Sequence, residues 1–391
     1  MTETPFLINE GNTPAKGLST QGIQIMSAMP TDTCGDPGTE VSHEKPGYTL
    51  CPWVDDFMET PAGQVPQIKT KLTARDWIST VQVRCGINRH RYTVAPGLYA
   101  AGRPHAGSEV LVTANFKLTF DHLRTQLADI NAWILVLDTK GVNVWCAAGK
   151  GTFSTRELVH RIQASDLEER VDHKRVILPQ LGATGVSAKA VKDLSGFRVV
   201  YGPVRASDLP RFLKNNRKAD PDMRQVTFDF RERIILTPVE VQIILKPALI
   251  TALVLFVISG MGPGIFSFGS AWTRGCTALA ALAAGILSGA VVTPVLLPFI
   301  PVKEFALKGI ISGSIIGIPL IVHLSGSGIS FAPGLALFLF ILVISSFLAM
   351  NFTGTTPFTS PSGVEKEMKR YIPAQLICLV LSSGLWIYGA F

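Results

Sequence analysis

The chain has 391 residues, a net charge of +7, 47% hydrophobic residues and a mean hydropathy of +0.31. That length leaves room for two or three domains, and that apolar content excludes an ordinary soluble enzyme. Residues 240–391 hold seven Lys or Arg against four Asp or Glu and the remainder 29 against 25, with no dense basic tract carrying interleaved aromatics, so no nucleic-acid partner is expected.

Residues 1–60 are rich in Pro, Gly, Thr and Asp and lack clear periodicity, so they read as a loosely ordered extension. They contain no apolar run of the secretory type, and the domain that follows is expected to stay in the cytoplasm. Residues 61–220 read as that domain. Val81–Val83 and Arg91–Val94 look like short strands, and Glu109–Asn115 is a compact β-branched strand. Leu118, Leu123, Leu127 and Ile130 give helical spacing over Leu118–Ile130. Trp133–Leu137 reads as a buried strand, Val176–Leu178 and Phe197–Tyr201 as further strands, with helices near 187–194 and 206–214. Strands alternating with helices predict a Rossmann-like α/β domain with a largely parallel sheet. Ligands on such sheets sit at the carboxyl ends of the strands. That rule gathers Thr113–Asn115, Asp138–Lys150, Gln180–Gly182 and Gly202–Arg205 on one rim.

Residues 221–246 read as a juxtamembrane linker and 247–391 as an all-α transmembrane domain of five helices. The expected spans are 247–268, 275–300, 309–329, 331–352 and 372–391, each near the 20 apolar residues that a bilayer requires. Arg231, Arg233 and Lys246 precede the first span, Lys303 and Lys308 follow the second, and Lys366, Lys369 and Arg370 follow the fourth. These fall on one side, whereas the other has only Arg274 and the uncharged Ser325–Ser330 turn. The positive-inside rule then predicts a multi-pass protein of the inner membrane with a cytoplasmic N-terminal domain and an outer C-terminus. Ionisable residues are scarce within the spans, which favours anchoring and partner docking over transport. The run Gly309–Gly317 suits close helix packing.

The six cysteines are Cys34, Cys51, Cys85, Cys146, Cys276 and Cys378, and no two form a C-x-x-C pair. The most distinctive stretch surrounds one of them: Asn143-Val-Trp-Cys-Ala-Ala-Gly-Lys-Gly-Thr-Phe153. It is neither a Walker A loop, since Val144 and Gly151 occupy positions that need Gly and Ser or Thr, nor a dinucleotide fingerprint. By itself a cysteine between Trp and Ala is usually a small buried hydrophobe. Asp121-His122 and Asp172-His173 do not match the D-x-H-x-x-G pattern of histidine-ligated cobalamin proteins, so no standard histidine ligand is offered.

The whole segment closely resembles the cap-helix motif of the mercury-methylating corrinoid proteins of the HgcA family, whose corrinoid-binding domain is related to the corrinoid iron–sulfur protein large subunit. Tyr92–Ala100, Leu111–Asn115, Trp133–Asp138, Leu178–Leu181 and Tyr201–Ala206 also look like that family, over roughly residues 61–215, and the five-span tail fits it. The resemblance implies a cobalamin-type corrinoid on the rim, with Cys146 as the lower axial ligand of cobalt and the catalytic residue. It implies that Asn143, Val144, Trp145, Ala147 and Thr152 shape the cap helix, that Gly149 and Gly151 allow close backbone approach, and that Lys150 reaches a corrin side chain. Thr113, Asn115, Gln180, Gly182, Gly202 and Pro203 are further candidate contacts. The implied activity is methyl transfer from methyl-Co(III) to inorganic Hg(II), forming methylmercury. A methyl-donor protein or methylfolate-linked methyltransferase would supply the methyl group. Clusters of the relative's kind need closely spaced cysteines, which this chain lacks, so no iron–sulfur cluster of its own is expected and an HgcB-like ferredoxin with two 4Fe–4S clusters is the implied electron donor. The rival reading is a membrane-bound corrinoid methyl carrier of one-carbon metabolism without a mercury role.

Overall fold

The computed structural model describes residues 51–353 and 361–391, so Cys34 and most of the expected N-terminal extension lie outside the described residues. The chain packs as two compact units. The first runs up to Lys71 and from Thr93 to Gly202; the second takes Leu72–Tyr92, with helix α1 (Ala74–Arg84), and Pro203–Phe391.

In the first unit one seven-stranded sheet holds β1 (Val54–Met58), β2 (Val65–Ile68), β3 (Gly97–Ala101), β4 (Val110–Ala114), β5 (Ala132–Leu137), β6 (Arg175–Leu178) and β7 (Arg198–Tyr201). Their order is β1-β2-β3-β5-β4-β6-β7. The four strands β5-β4-β6-β7 are mutually parallel, β3 runs antiparallel to β5, and β1 and β2 form an antiparallel pair at one edge. The intervening helices are α2 (Lys117–Arg124), α3 (Val144–Gly149), α4 (Thr155–Ala164), the single turn α5 (Leu167–Arg170) and α6 (Ala188–Ser195).

Strand alternation divides the sheet residues between two faces. Val110, Val112 and Ala114 of β4 and Trp133, Leu135 and Leu137 of β5 share a core with Val144, Ala147 and Ala148 of α3 and Leu158 and Ile162 of α4. Leu111, Thr113, Ile134 and Val136 therefore point to the other face. An edge-to-face trio of Trp53, Tyr99 and Phe120 packs elsewhere in this unit, with ring centroids 5.2–5.6 Å apart. Local signals set the helix ends: Ser154 and Ser187 accept the Glu157 and Ala190 amides at the starts of α4 and α6, and Gly196 at φ +74° ends α6.

The second unit continues with α7 (Leu209–Lys214) and α8 (Phe230–Ser259). A small hairpin, β8 (Met261–Gly262) and β9 (Ile265–Phe266), leads into α9 (Phe268–Ile286). A π-helical stretch, Leu287–Val292, connects α9 to the turn α10 (Thr293–Val295). Then follow α11 (Phe305–Gly326), α12 (Phe331–Phe352) and α13 (Pro361–Tyr388). Among the described residues, five helices are long and apolar enough to cross a membrane by length and composition. The Gly309 backbone lies so close to α12 that an added Cβ would sit 2.7 Å from the Ser346 Cα, and Ser345 Oγ donates to the Gly309 carbonyl at 2.6 Å.

Several expectations shift. The strands expected from Glu109, Trp133, Val176 and Phe197 onward all form, each beginning within one residue of its expected start. Val81–Val83, however, lies inside α1. The alternating Val-Gln-Val imitates a strand, but the capping box of Thr73 and Asp76 starts a helix upstream. Of Arg91–Val94, Arg91 closes a 3-10 turn and Thr93 makes only an isolated bridge to Phe116. Residues 54–58, expected within the loose extension, form the edge strand β1. Within the expected linker 221–246, α8 already begins at Phe230, because Asp229 and Glu232 form a reciprocal cap at 2.8 and 2.9 Å. The helix ends at Ser259 instead of near 268, where the hairpin intervenes. Lys308, expected as a loop charge, is buried in α11, where its Nζ donates to the Leu297 and Ile300 carbonyls at 2.8 and 2.6 Å.

Candidate functional site

The strand order reverses at β4, which has β5 on one side and β6 on the other. In open parallel sheets the crevice beyond the carboxyl ends of such strands is the usual ligand site. Asn115 leaves β4 there, Asp138–Asn143 leave β5, a 3-10 turn Gln180–Gly182 follows β6, and Gly202 follows β7.

Asn115 organises this rim. It is buried, and its Oδ1 accepts the Thr139 amide at 3.1 Å and the Gly141 amide at 2.9 Å, while its Nδ2 donates to Asp138 Oδ1 at 3.2 Å. The Thr139 hydroxyl stands between Asn115 Oδ1 at 2.8 Å and the Val142 carbonyl at 2.6 Å. These bonds hold a loop whose Lys140 and Gly141 have φ of +58° and +72°. Asp138 is also paired with the Lys140 ammonium, and its own amide donates to Glu157 at 2.8 Å. Burial raises the Asp138 carboxyl, but the hydrogen bonds from the Lys140 side chain and amide outweigh it and leave the group below its ordinary value.

The loop delivers α3. Asn143 is its N-cap, and its Oδ1 accepts the Cys146 amide at 2.9 Å. Val144, Ala147 and Ala148 turn into the core. Trp145, Cys146, Gly149 and Lys150 make up the opposite side: Trp145 is 43% exposed, Gly149 and Lys150 are exposed, and Cys146 is half-buried. The end of the helix is tied down by the Ala147 carbonyl, which accepts the Thr152 and Phe153 amides at 3.0 and 3.1 Å. Gly151 turns the chain at φ +76°, and nothing lies within 4 Å of the Cβ that either Gly149 or Gly151 lacks.

Phe153 and Ala148 dock α3 onto the loop that follows β6. A Cβ on Gly182 would lie 2.5 Å from the buried Phe153 ring, and one on Gly185 would overlap the Phe153 carbonyl and stand 3.1 Å from the Ala148 Cα. The helix therefore reaches from the end of β5 to the loop after β6, at the point of strand reversal.

The expected site residues thus separate. Asn115, Asn143, Val144, Trp145, Cys146, Ala147, Gly149, Lys150, Gly151, Thr152, Gln180 and Gly182 gather around α3. The side chains of Asn115 and Asn143 are spent on internal bonds, and Gly182 makes room for Phe153. Thr113 is buried on the sheet face opposite α3. Gly202 is buried at the end of β7 and donates to the Leu178 carbonyl at 2.7 Å, and Pro203 begins the second unit. Thr139 and Gly141 lie within the expected rim stretch Asp138–Lys150 and Phe153 within the motif, but none was singled out as a site residue, and Gly185 lay outside every expected stretch; Lys140-Gly141 after a buried strand is a turn signal that points to the first two.

His105 and His173 sit beside Ser108, at the opposite, amino ends of the strands. Burial pushes the Cys51 thiol up, with Lys117 opposing. Among the described residues no group of three or more His, Cys, Asp or Glu side chains could hold a metal ion by itself.

Residues 81–213 match the family described as CO dehydrogenase/acetyl-CoA synthase delta subunit. Over 128 residues the chain is 37% identical to the acetyl-CoA decarbonylase/synthase complex subunit gamma of Methanopyrus kandleri, covering 32% of this chain and 27% of that one. It is 31% identical over 125 residues to the same subunit of Archaeoglobus fulgidus, covering 32% and 26%. Against the corrinoid/iron-sulfur protein large subunit of Moorella thermoacetica it is 32% identical over 117 residues, covering 29% and 26%. The α/β part of the chain is thus related to acetyl-CoA decarbonylase/synthase gamma subunits and to a corrinoid/iron-sulfur protein large subunit, although the chain spans only about a quarter of the length of these relatives.

Proposed function

We propose that the chain is a membrane-held corrinoid protein that transfers a methyl group to Hg(II), with Cys146 as the lower axial ligand of cobalt. The observation that carries this reading is the half-exposed Cys146 on the outward side of α3, at the strand reversal. The residues suit a broad, flat cobalt macrocycle: a soft sulfur donor, the exposed face of Trp145, and open space over Gly149 and Gly151. When bound, a corrinoid supplies the metal that takes up and releases the methyl group.

Cys146 gives up its proton on coordination. As a thiolate it would hold the cofactor through an anionic sulfur donor, and a corrinoid held that way would supply a methyl group with carbanion character. That is the polarity an electrophile such as Hg(II) requires. Asn143, Asn115 and Phe153 fix the backbone that carries the sulfur. Lys150 is free to reach a polar edge of the cofactor.

The five apolar helices are read as spans of the inner membrane, with the first unit in the cytoplasm and the C-terminus outside; the loop charges Lys246, Lys303, Lys366, Lys369 and Arg370 support this orientation through the positive-inside rule. An HgcB-like dicluster ferredoxin as reductant and a methyl-donor protein complete the proposal.

The test is methylmercury formation by membranes containing the chain, supplied with corrinoid, a methyl donor, a strong reductant and HgCl2. Cys146→Ala should abolish it, and full activity in that variant would overturn the assignment. The similarity to acetyl-CoA decarbonylase/synthase subunits favours a second reading, a methyl carrier without a mercury role. A loaded protein that passes methyl to other acceptors and never to Hg(II) would select it.

A further inference from the structure

Helix α1 is amphipathic in the wrong sense for a helix packed only against protein. Its buried residues are Asp76, Thr80 and Val83. Its outward residues include Trp77, Ile78 and Val81, which are 61%, 60% and 58% exposed. Positions spaced i, i+1 and i+4 fall on one helical face, so these three side chains form a single apolar stripe. Ile87, just past the helix end, is 52% exposed as well. Apolar patches of this kind mark an interaction surface.

Two observations identify what covers it. The first is position. Gly86, at φ +78°, lies so close to α8 that an added Cβ would stand 2.6 Å from the Gln242 Cδ. Gln242 precedes Lys246, the last charged residue of α8, by four residues, or roughly 6 Å along a helix axis. The end of α1 is therefore held beside α8, just ahead of the point where its uncharged run begins. The second is charge. Residues 72–92 carry Arg75, Arg84, Arg89 and Arg91 against the single carboxylate of Asp76. A helix with an aromatic-aliphatic stripe, flanking arginines and a seat at the mouth of a span has the makeup of an interfacial segment.

We infer that α1 lies in the headgroup layer of the membrane, with Trp77, Ile78 and Val81 inserted at the boundary of the acyl chains and the arginines facing anionic headgroups. This rests on the reading of α8 as a membrane span. Interfacial seating of α1 gives the second unit a contact with the bilayer surface in addition to its spans.

The experiment uses the full chain in nanodiscs containing phosphatidylglycerol. A benzophenone amino acid replaces Ile78, or Val81 in a second variant, and photo-adducts are read by mass. Leu253, 65% exposed in α8, serves as the span control, and the exposed Lys192 of α6 as the solvent control. Phospholipid adducts at 78, 81 and 253, at least tenfold above those at 192, are expected. Adducts at 253 alone would overturn the inference and leave the spans intact. Adducts at none of these positions would overturn the membrane reading itself. Adducts of 78 or 81 to a second copy of the chain would replace the lipid surface with a protein one.

Discussion

Replacing Asn115 with Ala removes the tie between β4 and the loop that positions α3. Three bonds are lost outright: the Thr139 and Gly141 amides into Oδ1, and Nδ2 into Asp138. The Thr139 hydroxyl keeps its alternative acceptor, the Val142 carbonyl. At about 1 kcal/mol net for each bond, the loop should open more easily by about 3 kcal/mol. That corresponds to about a hundredfold loss of protection. The assay is amide hydrogen exchange on the full chain, read at Thr139 and Gly141. The amides of Ile134 and Leu135 in the centre of β5 serve as a control, and their unchanged protection would mark the opening as local. Unaltered protection at Thr139 and Gly141 in the Ala variant would refute the reasoning, because something other than Asn115 would then hold the loop.

Asp138 contributes a pH dependence to the same loop. Its folded value is depressed, so its stabilisation is present above the ordinary value of 3.8 and lost as the pH falls through the folded value. As the pH falls below that ordinary value, protection at Lys140 and Gly141, measured against the intrinsic exchange rate at each pH, should therefore drop in the native chain, and Asp138→Asn should flatten that response. Gly182→Ala should press on the Phe153 ring and cost about 1–3 kcal/mol, read as a lower thermal midpoint together with weaker corrinoid uptake. In the second unit, Lys308→Met should leave the Leu297 and Ile300 carbonyls without their donor. The expected cost is about 3 kcal/mol, measured as a lower unfolding temperature in detergent.

The central strands were legible because β4 and β5 are buried on both faces and so are written in uninterrupted apolar, β-branched runs. The strands on the β1 side of the sheet gave weaker signals. Val54–Met58 carries Asp55 and Asp56 and is largely solvent-facing, and Gly97–Ala101 owes its conformation to pairing with β5 more than to its own Gly and Ala residues. Boundaries failed where a cap outweighed hydropathy, as at Asp229 and Glu232, which begin α8 well before its uncharged run. Around the site, the segment Asn143–Phe153 announced α3, but a list of motif residues does not distinguish contact from support. Asn115, Asn143 and Gly182 act on the backbone, and Trp145, Cys146 and Lys150 form the outward side. Phe153 and Gly185 became visible only once the loop after β6 was brought against α3.

The most direct test of the account is the visible absorption spectrum of the full chain reconstituted with corrinoid, compared with that of Cys146→Ala. The account predicts a sulfur-ligated spectrum with the cofactor's own base displaced, lost in the variant while the corrinoid is still bound. Identical spectra from the two proteins would contradict it, because Cys146 would then not be the ligand of cobalt.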